Sequence, residues 1–472
     1  MRSRTRILVV ALLSVLWLPV ARAQFPATPA AQQFSAWLSA FNSGDRATLL
    51  QFLEKNYPAH ASRVDDQLEF RRRTGGFEFK KAEESTPTHF SGLVQERSSD
   101  QFGRFEIEVE PAEPHHIIRL DLRAIPSPAE FAIPRESESE ALAALRAKLE
   151  TEAAADQFAG TVLVAKDGKP IFTGAYGLAD LGKKIPNKLE TRFRIGSMNK
   201  MFTAVAILQL VQAGKIQFTD PLGKYLTDYP NKDVASKVTI HHLLTHTGGT
   251  GDLFGPEFDA HRKELRTLQD YVKLYGKRGL EFEPGSRWEY SNYGFLLLGV
   301  VVERVSGQSY YDYVRDHVYA PAGMTSTGSL AEDEAVPDRS IGYMRSGANA
   351  WQPNTDMLPY RGTSAGGGYS TVGDLLSFAN ALASHKLLDT HYTELLTTGK
   401  VDTPGPGKYA YGFGDRTVEG VRSFGHSGGA PGMNGELEIY PQSGYVVAVL
   451  ANIDPPAAQR IAEFVGNRLP AK

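Results

Sequence analysis

The chain has 472 residues, 42% of them hydrophobic and 22% charged, and a formal net charge of −3. That length suits two or three domains with an ample core, and the near-neutral balance gives no general attraction to nucleic acid. With no cysteine, a disulfide framework, a thiolate metal site, a cysteine nucleophile and an acylated cysteine anchor are all excluded.

The N-terminus reads as an address for export. Arg2, Arg4 and Arg6 precede the apolar run Ile7–Val20, and Ala21-Arg22-Ala23 supplies small residues before a cut ahead of Gln24. A bilayer-spanning helix needs roughly 20 apolar residues, more than this run offers. Further along, Tyr293–Val302 stops at Glu303 and is also too short. The expectation is a cleaved signal over 1–23, no integral membrane segment afterwards, and a periplasmic or secreted location.

Phe34, Trp37, Leu38 and Phe41 fall at helical spacing and end at Asn42-Ser43-Gly44-Asp45. Phe105, Ile107 and Val109 alternate with Glu106, Glu108 and Glu110, while Ile118, Leu120 and Leu122 alternate with Arg119, Asp121 and Arg123. This predicts two antiparallel strands with one face buried and opposite charges pairing on the other. Helix first and sheet after, residues 24–125 predict a small α+β domain whose order resembles a nuclear-transport-factor-2-like cone. Three prolines within Ile125–Pro134 mark 126–136 as a linker.

A second domain is expected over 137–472. Ser137-x-x-Glu140 is a capping-box pattern, followed by Leu142, Leu145 and Leu149 on one helix face. Thr161–Ala165 and Pro170–Thr173 flank Lys166-Asp167-Gly168-Lys169, a hairpin signal. Strands Glu436–Tyr440 and Tyr445–Leu450 surround Pro441-Gln-Ser-Gly444, and a last helix is expected over Ala457–Leu469. A sheet built from both ends of the domain, flanked by helices and with a helical region inserted between, is the implied architecture.

Three segments carry chemistry. Arg194-Ile-Gly-Ser197-Met-Asn-Lys200 opens an apolar helix that stops at Gly214, a residue suited to a left-handed cap. Three residues apart on one helical face, Ser197 and Lys200 are within mutual reach. A serine hydroxyl needs a neighbouring base to become a nucleophile, and a desolvated lysine can be one. Tyr290-Ser-Asn292 precedes a second apolar helix, and Gly425-His426-Ser427-Gly428-Gly429 precedes a strand. In this order Ser-x-x-Lys, Tyr-x-Asn and His-x-Gly resemble the serine β-lactamase and penicillin-binding-protein superfamily. The nearest branch is that of class C β-lactamases, D-Ala-D-Ala carboxypeptidases, D-aminopeptidases and related esterases. His242-Leu-Leu-Thr-His246-Thr-Gly-Gly, Gly366-Gly-Gly-Tyr-Ser-Thr-x-x-Asp374-Leu and Tyr411-Gly-Phe-Gly414 also look like pieces of that family. The resemblance covers about 140–472 and leaves out the N-terminal domain.

The resemblance implies a serine hydrolase that works through an acyl-enzyme without metal or cofactor. Ser197 would attack, while Lys200 and Tyr290 would share proton transfer, with either as the acylation base. Tyr290 could serve as phenolate if Lys200 and the helix end lower its pKa. Asn292 would hydrogen-bond Lys200 and the substrate amide. The N–H groups of Ser197 and Gly429, with Gly428 alongside, would form the oxyanion hole. His426 stands where many β-lactamases have lysine and would be only fractionally charged near neutral pH. This favours a D-amino-acid peptide, such as one derived from the cell wall, or a small ester over a β-lactam.

Three rivals deserve weighing. Gly425–Gly429 also matches the Gly-x-Ser-x-Gly nucleophile elbow, but a strand rather than a helix should follow it and no histidine lies downstream. His242 and His246 have zinc-helix spacing, but Leu243 occupies the position of the general base. A binding or scaffold protein on an inactive hydrolase fold predicts loss of the nucleophile, a base or the oxyanion loop, and all three are present.

Overall fold

The computed structural model describes residues 24–346, 350–405 and 407–472, so the export signal expected over 1–23 lies outside the described residues. The chain divides into two compact units between Ala132 and Ile133.

In the first unit, helices α1 (Pro29–Ser43), α2 (Arg46–Asn56) and α3 (Val64–Thr74) precede strands β1 (Phe77–Ser85), β2 (His89–Glu96), β3 (Phe102–Val109) and β4 (Ile117–Ile125). The strands form an antiparallel meander in chain order. Helix α1 starts where the Thr28 hydroxyl accepts from the Ala31 N–H and ends at Gly44, whose φ of 67° is the left-handed cap conformation. Its Phe34 stacks on Phe105 of β3, joining helix to sheet through buried rings. The charges pair as the alternation predicts: Arg119 reaches Glu106 at 3.2 Å and Glu108 at 3.1 Å. One expectation needs correction. The register slips between Glu108↔Arg119 and Val109↔Ile117, so Ile118 is a bulge residue and is 58% exposed. Ile117 takes the inward position instead.

The second unit opens with α4 (Glu138–Ala154), which carries the reciprocal Ser137–Glu140 capping box. Next come β5 (Gly160–Lys166) and β6 (Lys169–Tyr176), joined by Asp167 and Gly168 at φ 48° and 77°, a turn whose twist suits a two-residue hairpin. The inserted region contains α5 (Asn199–Gln212), α6 (Asn292–Ser306) and α7 (Val372–Ala383) among shorter helices. Strands β7 (Gly414–Val418), β8 (Val421–Ala430), β9 (Met433–Tyr440) and β10 (Tyr445–Ala451) and helix α8 (Ala457–Gly466) close the chain. The main sheet has eight strands. Short strands Val401–Asp402 and Lys408–Tyr409 come first, then β7, β8, β9, β10, β5 and β6. The antiparallel β10–β5 pair joins the two ends of the unit.

Both faces of this sheet are covered. Helices α4 and α8 lay Leu145, Leu149, Ile461 and Val465 on Val162, Val164, Val447 and Val449. On the other face α7 packs on β5 and β10 and α5 on β8, burying Leu163, Leu437, Ile439 and Ala448. Of the fourteen residues of α5 only Gln209, Val211 and Gln212 escape burial, so this helix is fixed from every side. Strand β7 pairs only with Val421–Gly425, leaving the edge of β8 from His426 onward for another partner. Gly425–Gly429, which match the elbow pattern, lie within β8, paired to Asn434–Glu438, so the strand-to-helix turn of an α/β-hydrolase is absent there.

Candidate active site

The free part of β8 faces the turn that leads into α5. That turn, Gly196–Met198, is a single 3₁₀ turn holding Ser197 just ahead of the helix N-terminus. A Cβ on Gly196 would lie 3.0 Å from the Gly429 nitrogen, and one on Gly366 would lie 3.3 Å from the Ser197 nitrogen. Backbone thus approaches backbone closely on both sides of the serine, which accounts for the glycines at these positions. Gly429 is exposed and lines the cleft with Ser197, whereas Gly428 is buried and packs against Ile195.

At the second position of α5, Lys200 is fully buried. Its Nζ lies 3.2 Å from Ser197 Oγ, 2.7 Å from Asn292 Oδ1 and 2.6 Å from the Ala365 carbonyl oxygen. Burial pulls its pKa down to about 7, against the charge of Asp252, which pushes it up. A neutral amine has two N–H donors and one lone pair. Its two donors match the Asn292 and Ala365 oxygens, and its lone pair is left for the Ser197 hydroxyl.

Tyr290 and Asn292 arrive together at the start of α6, where the Ser291 hydroxyl caps the helix by accepting from the Gly294 N–H. The Tyr290 hydroxyl hydrogen-bonds Ser197, and Lys200 Nζ lies 4.7 Å from the Tyr290 ring centre. The phenol pKa is raised, mainly by burial and only partly countered by the Ser197 hydrogen bond. This corrects the expectation of a phenolate. Lys200 is itself near half-neutral at pH 7 and supplies too little positive charge to offset desolvation. Burial therefore holds Tyr290 as the neutral phenol near pH 7.

His426 also differs from expectation. Its Nδ1 hydrogen-bonds the Ser427 carbonyl and its Nε2 lies 2.9 Å from the Tyr409 hydroxyl. Burial, helped by Lys200, lowers its pKa to about 4, so the ring is neutral near pH 7. It is not in the wall of the Ser197 cleft but in that of a neighbouring cavity. His242 and His246 do separate work: His242 Nδ1 accepts from the Thr239 N–H, and His246 Nδ1 accepts from the Ser291 N–H.

The Ser197 cleft encloses about 480 Å³. Tyr290, Asn292 and Gly429 supply polar groups, and Phe254, Phe258, Leu358 and Met433 supply apolar walls. An acyl group with an apolar side chain fits such a lining.

Sequence reasoning missed Asp252. Its Oδ1 accepts from the Asn292 N–H at 2.9 Å and its Oδ2 from Asn292 Nδ2 at 3.2 Å, which aims Asn292 Oδ1 at Lys200. Asp252 also raises the Lys200 pKa. Asp252→Asn is therefore expected to move the acid limb of the kcat/KM profile to lower pH by about one unit. An unmoved limb would show that this carboxylate does not govern Lys200.

Residues 145–469 match the family model described as Beta-lactamase. A putative penicillin-binding protein, PbpX, of Bacillus subtilis (strain 168) is 32% identical over 296 residues, covering 62% of this chain and 70% of that protein. Among solved structures, a penicillin binding protein from Bacillus halodurans superposes with a TM-score of 0.62 at 36% identity, covering 67% of this chain and 98% of the other. A D-stereospecific amidohydrolase from Streptomyces sp. gives a TM-score of 0.59 at 28% identity, covering 68% and 97%. The small α+β unit lies outside the matched residues. With its serine, buried lysine and strand-edge glycines in this shared fold, the chain belongs to the Beta-lactamase family and is a serine hydrolase.

Proposed function

We propose that the protein hydrolyses small esters or amides, including amides of D-amino acids, through an acyl-enzyme on Ser197. The carrying observation is Lys200 Nζ, 3.2 Å from Ser197 Oγ, with its pKa drawn down to about 7. Lys200 takes the Ser197 proton as Oγ attacks the carbonyl carbon. The N–H groups of Ser197 and Gly429 receive the oxyanion, and Tyr290 gives its proton to the departing amine or alcohol. In deacylation the same groups act in reverse, with water as nucleophile.

The choice of substrate rests on two features. A neutral His426 with both ring nitrogens engaged offers no cation to the carboxylate of a β-lactam or of a D-Ala-D-Ala terminus. The apolar cleft and the likeness to a D-stereospecific amidohydrolase favour apolar acyl groups. Action outside the cytoplasm rests on the Arg2–Ala23 segment.

A fluorophosphonate probe tests the reading. The label should map to the peptide carrying Ser197, and p-nitrophenyl butyrate and D-phenylalanine amide should be turned over faster than nitrocefin. A label elsewhere, or none, would refute the nucleophile, while fastest turnover of nitrocefin would refute the substrate class.

A further inference from the structure

The two residues that flank Tyr290 are both bonded to His246. The Glu289 N–H donates to the His246 carbonyl oxygen at 2.9 Å, and the Ser291 N–H donates to its Nδ1 at 3.1 Å. Ser291 is extended, at φ −134° and ψ 113°. In an extended segment alternate N–H groups point to one side, where a neighbouring strand would offer successive carbonyls. Here a single residue supplies both acceptors, and its ring nitrogen stands in for the second carbonyl.

His246 holds an unusual backbone conformation while it does so. Its φ is 60°, in the left-handed region, and it is 1% exposed. Glycine takes this conformation without strain, so a buried imidazole there points to a use for the ring. That ring lies 4.3 Å, centre to centre, from the Tyr290 ring and is tilted 34° to it. Phe295 and Tyr409 enclose it at 5.0 and 4.6 Å. Because Nδ1 accepts, the ring hydrogen sits on Nε2, which has no hydrogen-bond partner. Burial, helped by the charge of Lys200, keeps the imidazole neutral. The ring is therefore placed as an acceptor and a packing surface, with no proton path to the reaction.

We infer that His246 is a positioning residue for Tyr290: it holds the main chain on both sides of the tyrosine and lays its ring against the phenol, keeping the hydroxyl on Ser197. This rests on the reading above, in which Tyr290 protonates the leaving group. Side-chain substitutions at His246 spare the Glu289 bond, which uses the carbonyl oxygen. They should loosen the phenol without releasing the segment, and the loss should fall on the step that needs its proton.

The test compares ethyl butyrate with p-nitrophenyl butyrate. Both form the same acyl-enzyme, but ethoxide needs a proton to depart and p-nitrophenolate does not. His246→Phe keeps a ring and removes the acceptor. His246→Asn suits the left-handed backbone and can turn Oδ1 to the Ser291 N–H, but has no ring. Each should lower kcat/KM for the ethyl ester by about tenfold and leave that for the p-nitrophenyl ester within about twofold. Neither should lower it further in a Tyr290→Phe background, where the hydroxyl is already gone. A merely structural role would slow both esters alike and add to the Tyr290→Phe loss. Either result, or an unchanged ethyl ester rate, in a variant that folds would overturn the inference, and His246→Asn decides if His246→Phe does not fold. Crystal structures of the variants read the positioning without catalysis. The Tyr290 hydroxyl should leave hydrogen-bond reach of Ser197 Oγ, and a phenol that stays in place overturns the inference. A displaced phenol with Tyr290→Phe slowing both esters equally would retain the positioning role and sink Tyr290 as the leaving-group acid.

Discussion

Lys200→Met is expected to lower kcat/KM by roughly 10³-fold while leaving the protein at least as stable at pH 6. The loss follows from geometry. Among the described residues Lys200 Nζ is the only amine bonded to Ser197 Oγ, and methionine fills its space without a lone pair of comparable basicity. In the unaltered enzyme kcat/KM should rise with pH through about 7 as the ammonium gives up its proton, and that limb should vanish in the variant.

The stability effect has a definite sign. The lysine pKa falls from 10.5 unfolded to about 7 folded. Between those values the unfolded chain holds a proton that the native chain lacks, so native stability rises with pH across that window. Below pH 7 the burial penalty is present in full, on the order of 5 kcal/mol. Methionine removes it but leaves the Asn292 and Ala365 oxygens without their donor, at roughly 1–3 kcal/mol each. The Tm of Lys200→Met relative to the unaltered enzyme should therefore be highest near pH 6 and decline toward pH 10. Thermal melts that keep a constant difference across that range would rule out a lysine held neutral by burial.

Most of the catalytic geometry was legible because it lies in short-range spacing. Ser197, in the turn that leads into α5, and Lys200, in its first turn, are three residues apart and so within mutual reach, and Tyr290 and Asn292 flank the Ser291 cap of α6. Asp252 was not legible. It stands in an unpatterned Gly-rich stretch, and its partner Asn292 comes 40 residues later along a path that only the fold closes. The Ala365 acceptor is a main-chain oxygen and has no signature at all. The pKa values also escaped, because burial decides them: Tyr290 looked ready to ionise, and His426 looked fractionally charged. In the first unit a single bulge exchanged Ile118 for Ile117, a slip that the hydrophobic pattern cannot reveal when two isoleucines are adjacent.

Gly428→Ala is the second large effect, about 10²–10³-fold in kcat. The position has no side chain because the serine turn presses on it. A methyl there would overlap the Ile195 carbonyl oxygen, lie 2.9 Å from the Ile195 carbonyl carbon and 3.2 Å from Met198 Cγ. Neither side can yield cheaply: β8 is held to β9 from Phe424 through Ala430, and Met198 is fully buried at the head of α5. The turn carrying Ser197 must back away from the strand carrying Gly429, separating the two N–H groups that would hold the oxyanion. The loss should appear in kcat more than in KM, since those donors act most strongly when charge develops on the oxygen. Lys200 would keep its contacts within α5 and with Asn292, so the acid limb near pH 7 should persist at the reduced rate. Gly279→Ala is the matched control, because nothing lies within 4 Å of the methyl it adds. Equal kcat in the two alanine variants would mean that the β8 edge does not shape the transition state.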